Sequence, residues 1–349
     1  MTADRVKIAD RWVGPGERCY IVAEAGSNHD GDLSQARKLV EVAASVEADA
    51  VKFQTFRADR IVARTEDRPS TLVRFLDKDE TVTDLFKKLE LPFEWHAELR
   101  DLALSHGMQF LSTPFDEESA DFLMRLGVPA FKVASYEVTH LPLIQHIAHK
   151  GLPMIVSTGM ATMGEIEEAV DVVRAEGAPV ILLHCAVGYP PKAEDVNLAA
   201  MDAMRAAFGV PVGFSDHTKG TSIPIAAVAR GASVVEKHFT LSRTLPGPDH
   251  HFACEPDELK AVVQGIREVE AAIGEPRKGV APGEKEFYRL GRRSVFAARD
   301  VPEGTTLGPE MLVVLRPGTG LPPKYLPLLV GKVTRKALKK HEPITWDAF

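Results

Sequence analysis

Residues Ala48-Asp-Ala-Val-Lys-Phe-Gln54 make a short apolar run with a lysine inside it, and Ala130-Phe-Lys-Val-Ala-Ser135 repeats that design further along the chain. Six more runs of the same kind lie around them: Cys19–Glu24, Met108–Thr113, Met154–Ser157, Val180–His184, Val210–Ser215 and Ser233–His238. Short, near-continuous apolar segments of this length read as strands buried on both faces. Between most of them lies a helical pattern, such as Leu33–Val46, where Leu39, Val40, Ala43 and Ala44 fall on one face. Eight such strands with helical crossovers predict a (β/α)8 barrel. An open doubly wound sheet is the alternative, and it is disfavoured because no glycine-rich dinucleotide fingerprint follows the first run.

The repeat has one interruption and one end. Arg57 to Pro92 is an overlong, charged, partly helical connection after the second strand, of the kind that covers an active-site mouth or decorates the surface. Gly274-Glu-Pro-Arg-Lys-Gly-Val-Ala-Pro-Gly-Glu284 reads as a linker. After it come short strands broken by Val301-Pro-Glu-Gly, Arg316-Pro-Gly-Thr-Gly and Leu321-Pro-Pro. The expected organisation is a barrel over 1–273, a linker over 274–288 and a small β-rich domain over 289–349.

Composition excludes several classes. The apolar runs, Met311–Leu315 among them, are far too short to span a bilayer. Met1-Thr-Ala-Asp-Arg5 carries charge where a signal peptide needs an apolar stretch, so a cytoplasmic location is expected. Cys19, Cys185 and Cys254 show no CxxC spacing and read as reduced, buried thiols rather than a disulfide framework or a zinc ribbon. The net charge of −7 is uneven: Leu290–Phe349 holds ten Lys/Arg against five Asp/Glu. No basic stripe interleaved with aromatics marks a nucleic-acid surface. The basic end is either a solvated face or one that meets an anionic ligand.

A barrel does its chemistry at the C-terminal ends of its strands. Those ends carry Glu24, Asn28 and His29; Lys52 and Gln54; Ser112 and Thr113; Lys132, Ser135 and Glu137; Ser157 and Thr158; His184 and Tyr189; Ser215, Asp216 and His217; and Glu236, Lys237 and His238. Singly, each has a plain explanation, since a strand-end Ser or Thr often caps a helix and a lone lysine snorkels to water. Lysines inside apolar strands are harder to explain away, because a buried cation needs an anionic partner. Lys52 and Lys132 with neighbouring hydroxyls form a cradle for phosphate and carboxylate together. His217 and His238 end adjacent strands, so two imidazoles with waters suit an octahedral divalent ion such as Mn²⁺ better than closed zinc. His29, His184, His250 and His251 compete with them as ligands.

Glu24-Ala-Gly-Ser-Asn-His-Asp-Gly, Lys52-Phe-Gln-Thr, Ser112-Thr-Pro-Phe, Lys132-Val-Ala-Ser-Tyr-Glu, Ser157-Thr-Gly-Met, Phe214-Ser-Asp-His-Thr, Glu236-Lys-His-Phe and Pro246-Gly-Pro-Asp-His occur in that order, and together they resemble the sialic acid synthase family. The segment from Arg292-Arg-Ser-Val to Leu315-Arg-Pro-Gly resembles that family's antifreeze-like domain. The resemblance implies condensation of phosphoenolpyruvate with an N-acylated mannosamine-type aldose, assisted by a divalent metal, Mn²⁺ with Mg²⁺ or Co²⁺ as alternatives. By matching motif it implies His217 and His238 as metal ligands. Lys52, Thr113, Lys132, Ser135, Ser157 and Ser215 are implied to hold phosphoenolpyruvate. Gln54, Glu137, Tyr189 and Asp249 are implied at the sugar, with Glu24 beside the reacting centre. The family's domain-swapped homodimer would bring Arg316 of a partner's small domain to the N-acyl group.

One departure bears on the sugar. The sixth strand leaves as Cys185-Ala-Val-Gly-Tyr-Pro, so the side chains of Ala186 and Val187 cannot hydrogen-bond where many members carry hydroxyl or amide groups. Free or 6-phosphorylated N-acetylmannosamine and diacetamido-trideoxy hexoses therefore all stay open as acceptors. Two rivals stand beside the synthase: another metal-dependent barrel aldolase or isomerase, told apart by phosphate release, and a non-enzymatic sugar-binding module. The buried lysines and paired histidines argue against the second.

Overall fold

A computed structural model describes residues 5–65, 72–76 and 79–349. Parts of the long connection after the second barrel strand, and the first four residues of the chain, lie outside the described residues. The chain divides into two compact units, residues 1–274 and 275–349.

The first unit opens with an antiparallel hairpin, β1 (Val6–Ile8) and β2 (Arg11–Val13). Eight parallel strands follow: β3 (Tyr20–Gly26), β4 (Ala50–Thr55), β5 (Gln109–Pro114), β6 (Phe131–Val133), β7 (Met154–Ser157), β8 (Val180–Cys185), β9 (Val212–Asp216) and β10 (Val234–His238). Their ladder runs β5-β4-β3-β10-β9-β8-β7-β6, a nearly closed barrel with its seam between β5 and β6. All eight fall on the runs expected from sequence. Pro129, which has no N–H to give to a ladder, leads into three-residue β6 at that seam.

Strand alternation builds two cores. Ile21, Ala23, Val51, Phe53, Phe131, Val156, Phe214 and Val235 face outward and bury themselves against the helices. The helix Leu33–Ser45, capped by Asp32 accepting from the Ser34 N–H, contributes Ala36, Leu39, Val40 and Ala43 to this layer. Ala44, expected on that face, is only half-buried. Tyr20, Val22, Ala50, Leu111, Ala130, Ile155, Ile181 and Val234 face inward, and Val6, Ile8 and Val13 of the hairpin join them to fill the lower barrel. With the floor apolar and plugged, inward residues one or two steps further along each strand must fill the upper layer, and those are the polar ones.

In the long connection the described helices Ala58–Ile61 and Val82–Leu89 bury Leu85 and Leu89 against Phe56, with Phe75, Phe86 and Phe115 alongside. The helix Pro256–Ile273 ends the first unit. In the second, β11 (Ser294–Ala297) pairs antiparallel with β12 (Leu312–Leu315), and isolated bridges such as Val301 to Leu338 knit the rest. Val295, Ala297, Leu312, Leu329, Leu338 and Ile344 form a separate small core. No helix among the described residues is long and apolar enough to cross a membrane.

Candidate active site

Glu24, Lys52, Lys132 and Glu236 are almost completely buried and meet inside the upper barrel. Lys52 Nζ lies 2.8 Å from Glu24 Oε2 and 3.8 Å from Glu236 Oε1, and Lys132 Nζ lies 3.7 Å from the same Glu236 oxygen. Two cations thus share one carboxylate, while a second carboxylate pairs with Lys52 alone. Hydroxyls complete the ring: Lys52 donates to Thr113 Oγ1 (3.1 Å), Lys132 donates to Ser157 Oγ (2.7 Å), and Ser215 Oγ donates to Glu236 Oε1 (3.3 Å). Ser135 Oγ accepts from the Gly159 N–H at 3.0 Å. Lys52, Lys132, Thr113, Ser135, Ser157 and Ser215 therefore converge on one pocket floor.

The charges are set by that packing. Burial alone would push Lys52 down, but Glu236 and Glu24 outweigh it and hold the ammonium above its ordinary value. Burial lowers Lys132, with Glu236 opposing only in part. Burial would raise Glu236, yet Lys132 and Lys52 hold it below the usual carboxylate range. Glu24 goes the other way: burial pushes it up to about 7 against the pull of Lys52. One carboxylate is thus kept ionised and the other is poised to hold a proton near neutral pH.

A second cluster stands beside the first. Gln54 Nε2 donates to Glu24 Oε1 at 3.1 Å. Gly26, at φ +54°, brings its backbone so close that an added Cβ would lie 3.3 Å from Gln54 Nε2 and from Glu24 Oε1, and 3.6 Å from Asp249 Oδ2. Sequence reasoning missed Gly26, although a glycine two residues after Glu24, at the end of a barrel strand, is the available signal. Asp249 is raised to about 6 by burial. Its loop is pinned by its neighbour: the His250 ring contacts both Asp30 carboxylate oxygens (2.9 and 3.0 Å) and Thr240 Oγ1 (2.6 Å). Glu137, half-buried on the turn after β6, has Oε2 shielded from water with no hydrogen-bond partner among the described residues, and burial pushes it up to about 7.

The imidazoles of His217 and His238 face each other with ring centres 5.0 Å apart. His217 Nδ1 lies 3.3 Å from the Ala186 carbonyl and 3.6 Å from Cys185 Sγ, and its Nε2 has no hydrogen-bond partner among the described residues. His238 Nδ1 is buried without a hydrogen-bond partner among the described residues, 3.9 Å from Asp249 Oδ2. Burial lowers both rings' pKa, so both stand neutral, the form that ligates a metal. No group of three or more protein ligands occurs among the described residues. Two free imidazole nitrogens beside one carboxylate fit a divalent ion that takes its remaining ligands from water and substrate. Tyr189 packs its ring 4.8 Å from that of His217. Ala186 cannot donate from its side chain, but its carbonyl orients His217.

The competing histidines go elsewhere. His184 points outward, bonding the Val196 carbonyl; His29 is buried against Phe53 and Trp95; His250 and His251 secure the Asp249 loop. Ser112 and Lys237, both strand-end polar residues, also face outward, Ser112 to Thr55. Strand alternation separates them from Thr113, Glu236 and His238, and Glu236 is the central residue that the motif comparison left without a role. Arg316 belongs to the second unit, exposed directly after β12.

The site is thus a buried lysine pair, facing carboxylates and paired imidazoles at the strand ends of a plugged, nearly closed (β/α)8 barrel. Comparison with known proteins places it more closely: residues 39–278 match the NeuB family, residues 292–349 match the SAF domain, and the chain belongs to the NeuB family. It is 42% identical over 339 residues to N,N'-diacetyllegionaminic acid synthase of Legionella pneumophila, covering 96% of this chain and 95% of that one. It is 35% identical to human N-acetylneuraminate-9-phosphate synthase, covering 96% and 93% respectively. The crystal structure of N-acetylneuraminic acid synthetase from Leptospira borgpetersenii, in complex with citrate, superposes with a TM-score of 0.72 at 33% identity, over 81% of this chain and 94% of that one.

Proposed function

We propose that this chain condenses phosphoenolpyruvate with an N-acylated amino-sugar aldehyde and water, giving a sialic-acid-type nonulosonate and phosphate. The observation that carries the reading is the pair of buried lysines, Lys52 and Lys132, sharing the single carboxylate of Glu236. Such a cluster has room in its charge balance for an added anion. Phosphoenolpyruvate offers two anionic groups, and Thr113, Ser135, Ser157 and Ser215 supply the hydrogen-bonding rim around them.

In the reaction, C3 of phosphoenolpyruvate attacks the aldehyde carbon, and the aldehyde oxygen takes a proton as the new C–C bond forms. Glu24, poised near neutral pH beside Gln54 and Asp249, is the proton source at that centre. Water adds to the resulting C2 cation and gives up a proton. Phosphate then leaves the tetrahedral C2 with the bridging oxygen, as the C2 hydroxyl becomes the keto group and its proton passes to the departing phosphate. Lys52 and Lys132 stabilise charge where it develops on that phosphate. Gln54, Glu137, Tyr189 and Asp249 hold the sugar. His217 and His238 would hold a divalent ion, Mn²⁺ first, which when bound supplies Lewis-acid polarisation of the aldehyde. Arg316 of a partner's small domain would complete the sugar site in a domain-swapped homodimer, a role consistent with the basic surplus of that domain.

The relatives' names span a diacetyllegionaminic acid and a sialic acid 9-phosphate, so the acceptor is decided by experiment. The test is a panel of N-acetylmannosamine, its 6-phosphate and diacetamido-trideoxy hexoses with phosphoenolpyruvate and Mn²⁺, reading product mass. One acceptor giving a condensed product supports the proposal. Phosphoenolpyruvate left intact with every acceptor, in protein shown to be folded, contradicts it.

A further inference from the structure

The outward faces of β9 and β10 carry a charge pair that no step above uses. Asp216 and Lys237 are direct cross-strand partners, and Lys237 Nζ lies 2.6 Å from Asp216 Oδ2. Their side chains are 0% and 1% exposed, so both charges are fully out of water. Lys237 also donates to the Thr218 carbonyl, and Asp216 Oδ1 accepts from the Thr218 N–H at 2.8 Å. These bonds grip the chain on both sides of His217. The ammonium that makes two of them sits on the residue directly before His238.

A buried ion pair is poor value as a source of stability. The cost of removing two charges from water rivals their attraction, and well-packed apolar residues often serve the fold equally well. What such a pair does supply is a fixed register, and here the two elements held in register each present an inward imidazole. The need is specific to this site. His217 has its Nδ1 oriented by the Ala186 carbonyl, whereas His238 Nδ1 has no hydrogen-bond partner among the described residues. The placement of His238 relative to His217 therefore depends on the backbones beneath them.

We propose that the Asp216–Lys237 pair is a positioning clamp, set outside the barrel wall, that holds His217 and His238 at the spacing a divalent cation needs. The proposal rests on reading those two histidines as metal ligands. Groups behind a ligand shell commonly change metal affinity by about 10–100-fold when removed, although they never touch the ion.

The test is Mn²⁺ titration by calorimetry on the full-length protein without substrates, together with its metal-free melting temperature. The double variant Asp216→Leu/Lys237→Met removes both charges and leaves neither stranded. It should melt near the wild type, while its Kd for Mn²⁺ rises about 10–100-fold. Asp216→Asn provides a second route if the double variant does not fold: it keeps an acceptor for the Thr218 N–H, removes the carboxylate's charge opposite Lys237, and should also raise the Kd. Wild-type Mn²⁺ affinity in either folded variant overturns the clamp and leaves the pair a structural one. The ligand reading is checked separately with His238→Ala. If wild type takes up no Mn²⁺, or His238→Ala binds it as wild type does, the metal site itself is wrong and the clamp falls with it.

Discussion

Lys52 reaches across from β4 to Glu24 on neighbouring β3, with 2.8 Å between Nζ and Oε2, and this contact sits where two further charges, Lys132 and Glu236, also meet. The four groups balance only while Glu24 is ionised. An incoming anion tips that balance and favours a proton on Glu24, whose carboxyl already stands at about 7 through burial.

Anion affinity should therefore depend on pH. Glu24 keeps its proton below pH 7 and loses it above, and the lost proton adds negative charge beside the lysines. Binding of phosphoenolpyruvate to metal-free protein, followed by calorimetry, should weaken as pH rises through 7. Glu24→Gln should flatten that dependence and strongly reduce turnover. An unchanged pH dependence in Glu24→Gln removes Glu24 from the anion site's charge balance.

Lys132→Met keeps most of the side-chain stem and removes the ammonium. A hydrogen bond to a charged group is worth about 1.5–3 kcal/mol, so phosphoenolpyruvate affinity should fall by roughly 10- to 150-fold while acceptor affinity changes little. The KM values of the two substrates, measured separately, check it. Equal losses for both would point to a general collapse of the pocket.

Glu137 makes stability itself pH-dependent. Its carboxyl rises from 4.5 in the unfolded chain to about 7 in the fold, because burial disfavours its charge. Between those values the folded state holds a proton that the unfolded state has lost, so stability falls as pH rises across this window. Glu137→Gln escapes the fall. Its melting temperature should match wild type at pH 4.5 and exceed it by several degrees at pH 8, given about 2–4 °C per kcal/mol in a domain of this size.

Most of the barrel was legible because its strands are buried on both faces, and burial writes itself as apolar runs. Lys52 and Lys132 stood out for the same reason, as cations inside such runs. Sorting inward from outward needed only strand alternation, which assigns Ser112, His184 and Lys237 to the outer face and Thr113, Glu236 and His238 to the pocket. Contacts made by folding over long separations were not legible. Nothing in the local sequence says that Asp249 returns to Gly26, that Asp30 holds His250, or that the Ala186 carbonyl supports His217. Backbone groups and distant loops make those contacts, and neither leaves a pattern along the chain.

The trans role of Arg316 has its own test. Arg316→Ala and His217→Ala should each be nearly inactive. Mixing them under conditions that exchange subunits should restore activity, because one site in each mixed dimer has both residues intact. If heterodimers form and the mixture stays inactive, the site is completed within one chain.

The central claim is the condensation itself, and phosphoenolpyruvate carrying ¹⁸O at its bridging oxygen tests it most directly. The labelled compound is incubated with Mn²⁺ and an accepted amino sugar, and the phosphate and organic product are weighed by mass spectrometry. The account predicts phosphate in step with a nine-carbon product and the label in the phosphate, because the C–O bond breaks after water has added at C2. Label retained in pyruvate or in the sugar product, or phosphate released without any condensed product, would contradict it.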